Sequence, residues 1–261
     1  MTIQVLGSGT SAGVPLLGCA CPVCESEDSR DRRLRASLLI RGSKNVIIDT
    51  GPDFRQQTLR CELKQLDAVL YTHFHYDHLG GLDDLRPFTY FLKEKLPCYT
   101  NWQTYEELKR KYHYIDDKSI ATYVPQIDLR LYPGSETDGY EYFSIDDLQI
   151  QPIRLIHYPP ASLISTGYVL NNAFGYLTDL KQINPRDEKY LYNLKFLYIG
   201  SPLNAEHVSH ISHEETLALF AKFKPERGII GHLSHQFKHD ELIERWQGRA
   251  EPAFDGQEFT F

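Results

Sequence analysis

Thr72-His73-Phe74-His75-Tyr76-Asp77-His78-Leu79-Gly80-Gly81 places three imidazoles and a carboxylate within six positions, directly after the apolar run Ala68-Val69-Leu70-Tyr71. A short apolar run of this kind reads as a buried strand, so the polar side chains emerge at a strand end. They make poor core material, because a polar group buried without a partner costs roughly 2–7 kcal/mol. Metal coordination removes that cost, and imidazole nitrogen with carboxylate oxygen suits zinc, iron or manganese. His73 and His75, two positions apart, can point at one ion. Asp77 and His78, on the following turn, can point at another.

The rest of the chain supplies a frame for such a strand end. Strands are predicted over residues 2–6, 37–41, 45–49 and 68–71, with a helix over 53–60. The second half repeats the theme, with strands over 147–156, 166–170, 174–177, 194–199 and 228–230 and a helix over 213–223. Two halves, each of strands followed by helices, predict an α/β fold of stacked sheets with helices outside, in one domain spanning residues 1–261. Residues 96–139 carry the least regular pattern and read as an insertion near the mouth of the site. No Pro/Ser linker or short repeat interrupts the chain.

The His/Asp segment resembles the signature of the metallo-β-lactamase superfamily, and the resemblance extends along nearly the whole chain. It implies a four-layer αββα sandwich with a metal site at the strand ends. Ile47-Ile48-Asp49-Thr50-Gly51 is similar to the family's first motif, whose Asp supports a metal-bound His. The resemblance further implies His157 after a strand ending at Ile156, Asp179 as a carboxylate bridging both ions, and His232 as the last ligand. The implied sets are His73, His75, His157 and Asp179 on one ion, and Asp77, His78, Asp179 and His232 on the other.

A second cluster lies near the start of the chain. Cys19, Cys21 and Cys24 crowd into six positions, whereas Cys61 and Cys98 stand alone. An odd, clustered set fits a metal site in a reducing compartment better than a disulfide framework. Tetrahedral structural zinc takes four ligands, and His235, three residues after His232, is the candidate for the fourth. This arrangement resembles that of the PhnP-type cyclic phosphodiesterases, as do residues 7–15 and 232–237.

These resemblances imply a hydrolase that cleaves a small, cyclic phosphodiester with a water activated by two divalent metals (manganese or zinc, or else iron), beside one structural zinc. Asp77 is expected to serve the chemistry as well as the metal. His210, in Ser209-His210-Ile211-Ser212, is similar to the His-x-Ser/Thr motif of phosphodiesterases in the superfamily and is the candidate proton donor, with His207 and His213 as competitors. Arg55 and Arg86 could meet a substrate anion, although surface pairing suits either better. One departure is visible: relatives often carry an acidic residue near the strand end matching Ile199-Gly200-Ser201, and none stands here.

Two other readings share the core ligands. A ribonuclease Z-type processor of transfer-RNA 3′ ends would want a basic RNA-binding arm, and a formal charge of −7 argues against a nucleic-acid partner. A non-hydrolytic metalloprotein like the pyrroloquinoline quinone biosynthesis protein B shares the cysteine pattern. Leu16-Leu17-Gly18-Cys19 superficially matches a lipoprotein cleavage site, but no basic start or unbroken apolar stretch precedes it. No run reaches the roughly 20 apolar residues that span a bilayer. A cytoplasmic location without membrane contact is expected, and the resemblance admits a homodimer.

Overall fold

A computed structural model describes residues 1–90, 94–135 and 137–261. The first sheet contains β1 (Thr2–Gly7), β2 (Ser37–Arg41), β3 (Asn45–Ile48), β4 (Ala68–Leu70), β5 (Leu96–Thr100), β6 (Ile127–Leu131) and, from the end of the chain, β17 (Glu258–Thr260). Their order is β17-β1-β2-β3-β4-β5-β6. A hairpin of β7 (Gly134–Ser135) and β8 (Gly139–Tyr140) precedes the second sheet. That sheet holds β9 (Phe143–Ile145), β10 (Leu148–Tyr158), β11 (Leu163–Leu170), β12 (Phe174–Leu177), β13 (Gln182–Ile183), β14 (Phe196–Gly200), β15 (Arg227–Gly231) and β16 (Glu251–Pro252). Its order is β13-β10-β11-β12-β14-β15-β16, with β9 alongside β10.

The layers follow from the two-residue period of the strands. Leu38, Ile40, Val46 and Ile48 of the first sheet pack with Tyr168, Leu170, Phe174, Tyr176, Phe196 and Tyr198 of the second, forming the inner core. The intervening residues Leu39, Ile47 and Val69 face outward. They meet Phe54 of α1 (Phe54–Arg60), Leu79 of α2 (Tyr76–Leu79) and Leu108 of α4 (Trp102–Lys111). A short α3 (Arg86–Thr89) lies between the last two. On the opposite flank, Leu197, Ile199 and Ile230 meet Leu217, Phe220 and Phe223 of α5 (His213–Phe223), and Leu242 and Trp246 of α6 (His239–Trp246). Helix α5 opens with a capping box: Ser212 accepts from the Glu215 backbone N–H and Glu215 accepts from that of Ser212. The result is the αββα sandwich.

Three expectations need correction. Residues 96–139 are not an irregular insertion: they hold β5, β6 and α4, two strands and a helix of the first sheet's own architecture, with only residue 136 outside the described residues. Pro97 disguised β5, since proline within a run argues against a sheet interior. Strand β10 continues to Tyr158 rather than stopping at Ile156, and its pairing with β11 shifts register between Ile156 and Tyr158. Strand β3 ends at Ile48, one residue before Asp49.

Strands β3, β4, β5 and β6 run parallel to one another, as do β12, β14, β15 and β16. Segments leaving parallel strands at one end gather there, and ligand sites of α/β sheets lie outside such carboxyl ends.

Candidate metal centre

Six segments converge at this end of the sandwich. Asp49 follows β3, the His73–His78 motif follows β4, Asp179 follows β12 and His232 follows β15 directly. His210 precedes α5, and His157 sits within β10 where the register shifts. An extra residue in one strand re-aims a side chain, which is how a strand residue turns toward the centre. Asp49, Asp179 and His232 all hold left-handed backbone, at φ 63°, 52° and 55°. Such conformations cost roughly 1–3 kcal/mol each and persist where surrounding structure imposes them. Gly51 permits the close approach of two of these segments, because a Cβ there would stand 2.0 Å from the Asp77 carbonyl oxygen.

Hydrogen bonds at the outer ring nitrogens turn three imidazoles inward. The Nδ1–H of His78 donates to Asp49 Oδ2 at 2.6 Å, and that of His157 donates to the Ser209 carbonyl at 2.9 Å. His73 Nδ1 lies 3.0 Å from Thr72 Oγ1, whose hydroxyl itself donates to Asp49 Oδ2 at 2.8 Å. Thr72 can therefore accept from His73, leaving Nε2 of His73 free. Fixing one ring nitrogen in this way presents the other to a metal.

The inward atoms form adjoining groups. His73, His75 and His157 can share one ion, and Asp77, His78 and His232 another. Asp179 spans them: Oδ1 is 3.7 Å from His157 Nε2, while Oδ2 is 3.2 Å from His78 Nε2 and 3.5 Å from His232 Nε2. Nε2 of His73, His78 and His232 is buried in each case without a hydrogen-bond partner among the described residues. Buried nitrogens left bare in this way are costly, and a divalent cation satisfies them all.

The electrostatics agree. Burial works to lower the His78 imidazole, but Asp77, Asp49 and Asp179 around it reverse that and hold it well above its ordinary value. Burial likewise raises Asp179, and the His232 and His78 charges overcome it to hold the carboxylate well below its usual range. Desolvation lowers His73 well below normal and so favours its neutral form. Carboxylates crowded about one imidazole make a place that favours positive charge.

The cysteine cluster is equally well formed. Cys19, Cys21 and Cys24 Sγ lie 3.5, 3.4 and 3.6 Å from His235 Nδ1. Tetrahedral zinc, with bonds of about 2.3 Å to sulfur and 2.0 Å to nitrogen, sets those atoms roughly 3.5 Å apart. A backbone hydrogen bond from Cys24, then one with His235, lower the Cys21 thiol to about 6, whereas burial raises that of Cys24 to about 11. Leu233 joins the two centres, its N–H donating to the Ser8 carbonyl at 2.8 Å.

The β-lactamase superfamily domain matches residues 44–233, a span that holds every residue of the His/Asp centre. The chain belongs to the metallo-β-lactamase superfamily. Its members are mostly metal-dependent hydrolases. Within it, a structure described as a new diphosphatase from the PhnP family is 33% identical, with a TM-score of 0.89, covering 100% of this chain and 97% of that one. An octanoyltransferase of Porphyromonas gingivalis is 36% identical over 99% of this chain but only 51% of its own length. The chain thus spans about half of that curated relative. Zinc-bound PqqB of Methylobacterium extorquens shares the fold, with a TM-score of 0.77 at 14% identity over the full length of both chains.

In this PhnP-branch chain the remaining candidates separate clearly. His210 stands beside the centre, with Nδ1 4.0 Å from Asp179 Oδ1 and its ring 4.9 Å from that of His157. Burial lowers it to about 3, so it is a neutral imidazole that can donate one N–H. It also forms a further three-residue group with His157 and Asp179 that could hold a metal. His207 is exposed, and its Nδ1 accepts from the Ser209 N–H at 3.3 Å. His213 packs edge-on against Trp246 and lies 3.2 Å from the Ser201 carbonyl, away from the metal groups. Arg55 is exposed on α1, and Arg86 donates to the Tyr123 carbonyl at 3.0 Å. Thr72 and the Ser209 carbonyl, which hold the rings of His73 and His157, escaped the sequence reading. Thr72 could have been found from its place between a buried strand and His73, but nothing local marks a carbonyl. No helix among the described residues is long and apolar enough to cross a membrane.

Proposed function

We propose that this chain is a binuclear metal-dependent phosphodiesterase acting on small, including cyclic, phosphodiesters. The observation that carries this reading is the placement of Asp179, with one carboxylate oxygen toward His157 and the other toward His78 and His232. Such a carboxylate can bridge two cations. A metal pair supplies a water of lowered pKa and an electrophilic clamp on phosphoryl oxygens. His73, His75 and His157 would hold one ion, Asp77, His78 and His232 the other, with manganese, zinc or iron all compatible with these donors. Asp49 keeps the His78 ring in its inward pose. His210 is placed to hydrogen-bond a leaving oxygen through its N–H and so to stabilise the charge that develops there. Cys19, Cys21, Cys24 and His235 would hold a structural zinc.

The acidic balance favours a small substrate over a nucleic-acid partner. The PhnP-family neighbour, described as a diphosphatase, supports phosphoryl chemistry and adds the diphosphate linkage to the substrates worth testing. The octanoyltransferase relative favours a second reading, hydrolysis of an acyl thioester. Metal-loaded protein should be assayed on bis-p-nitrophenyl phosphate, 2′,3′-cyclic nucleotides, diphosphates, an octanoyl thioester, a lactam and precursor transfer RNA. Turnover of the phosphodiesters is expected. Stoichiometric metal with no phosphodiester cleavage would overturn the proposal, and thioester turnover alone would establish the second reading.

A further inference from the structure

A buried ion pair lies between the cysteine loop and the His232 turn, and the chemistry above does not use it. The side chains of Arg33 and Asp31 are 0% and 1% exposed, with Nη2 2.9 Å from Asp31 Oδ1. The other donors of Arg33 go to backbone. Nη1 donates to the Ser234 carbonyl at 2.6 Å, Nη2 also to that of Phe237 at 3.1 Å, and Nε to that of Arg30 at 3.4 Å. Asp31 accepts from Ser26 Oγ and from the His239 N–H, each at 2.7 Å.

Ser234 lies between His232 and His235, and Phe237 two residues beyond. One guanidinium therefore grips the chain on both sides of His235 and within two residues of His232. A buried ion pair adds little stability over well-packed apolar residues. Its planar fork supplies geometry instead, since its donors are fixed relative to one another. Geometry is what this turn needs: His232 holds left-handed backbone, and His235 must meet three sulfurs. The backbone bonds from Ser8 and Thr10 secure Leu233 but not the arc beyond it.

We propose that Arg33 is a positioning residue that sets the arc from Ser234 to Phe237 so that His235 faces the three cysteine sulfurs. This rests on the metal reading of the cysteine cluster. Loss of Arg33 frees the Ser234 and Phe237 carbonyls, so His235 loosens, while His232, on the far side of the secured Leu233, and His73, His75 and His157, held from other strands, do not move.

The test uses full-length protein carrying Arg33→Lys, which keeps the charge but loses the fork, or Asp31→Asn with Arg33→Met, which leaves no unpaired buried charge. Zinc affinities are measured by calorimetric titration, and the cysteine centre is read separately from the thiolate-to-metal absorption of cobalt-substituted protein. The expected result is a fall of about 10–100-fold in affinity for the ion on the cysteines, with weaker thiolate absorption. Binding at the His/Asp centre should keep its affinity. Unchanged cysteine-centre affinity in both variants, or equal weakening of both centres, would overturn the proposal. Wild-type protein that binds no zinc on the cysteines would instead bring down the metal reading beneath it.

Discussion

Asp49 and His78, twenty-nine positions apart, meet in full burial with Oδ2 2.6 Å from Nδ1. The same carboxylate accepts the backbone N–H and the hydroxyl of Thr72, both at 2.8 Å. One side chain beyond the metal-facing atoms thus orients His78 directly and His73 through Thr72. Replacing it by Asn keeps the shape but puts a neutral amide where an anionic acceptor stood. Asp49→Asn should lower affinity for the ion beside His78 by about 10–100-fold. Zinc titration followed by circular dichroism checks it, and unchanged affinity in a folded variant would contradict the orienting role.

Asp179 spans both metal groups, so its loss should act on both. Asp179→Ala is expected to lose catalytic-centre metal and hydrolysis together, while the thiolate absorption of the cysteine centre persists. Elemental analysis beside a bis-p-nitrophenyl phosphate assay tests this. A variant that retains full metal and full rate would refute the bridging assignment.

His210 lies next to the centre, and its effect should depend on the substrate. His210→Ala should keep its metals and lose about 10²–10³-fold in rate on substrates with poor alkoxide leaving groups. On p-nitrophenyl esters, whose leaving group carries its negative charge without help, the loss should be far smaller. Comparing the two rates in one preparation decides it; equal losses count against donation to the leaving oxygen, and lost metal would point to a ligand role.

Gly51 is required by space. Its Cβ would meet the Asp77 carbonyl oxygen at 2.0 Å, and the neighbouring Thr50 N–H donates to the His78 carbonyl at 2.9 Å. Gly51→Ala should push the β3 loop away from the metal motif, at a cost of about 1–3 kcal/mol. That corresponds to roughly 2–4 °C in melting temperature per kcal/mol. Thermal unfolding with and without zinc measures it, and an unchanged melting temperature would show that the loops separate freely.

What could be read from the chain alone was whatever its chemistry concentrates locally. The His73–His78 segment and the three clustered cysteines set side chains able to ligate a metal within a few positions, because adjacent residues need no fold to be near one another. Short continuous apolar runs in β2, β3 and β14, bounded by turn formers, likewise announced their strands. Resemblance then singled out His157, Asp179, His210 and His232, each of which is one polar residue in an ordinary setting. Tertiary structure decided the rest. It gave Asp49 its partner, re-aimed His157 through a register shift, placed Asp179 between two groups, and put Arg33 behind the His232 turn. It also turned residues 96–139 from an apparent insertion into two strands and a helix. The physical reason is common to all of these: bonds across tens or hundreds of positions depend on strand pairing and backbone conformation that no local pattern encodes. Side-chain chemistry is written residue by residue, but distance between side chains exists only after folding.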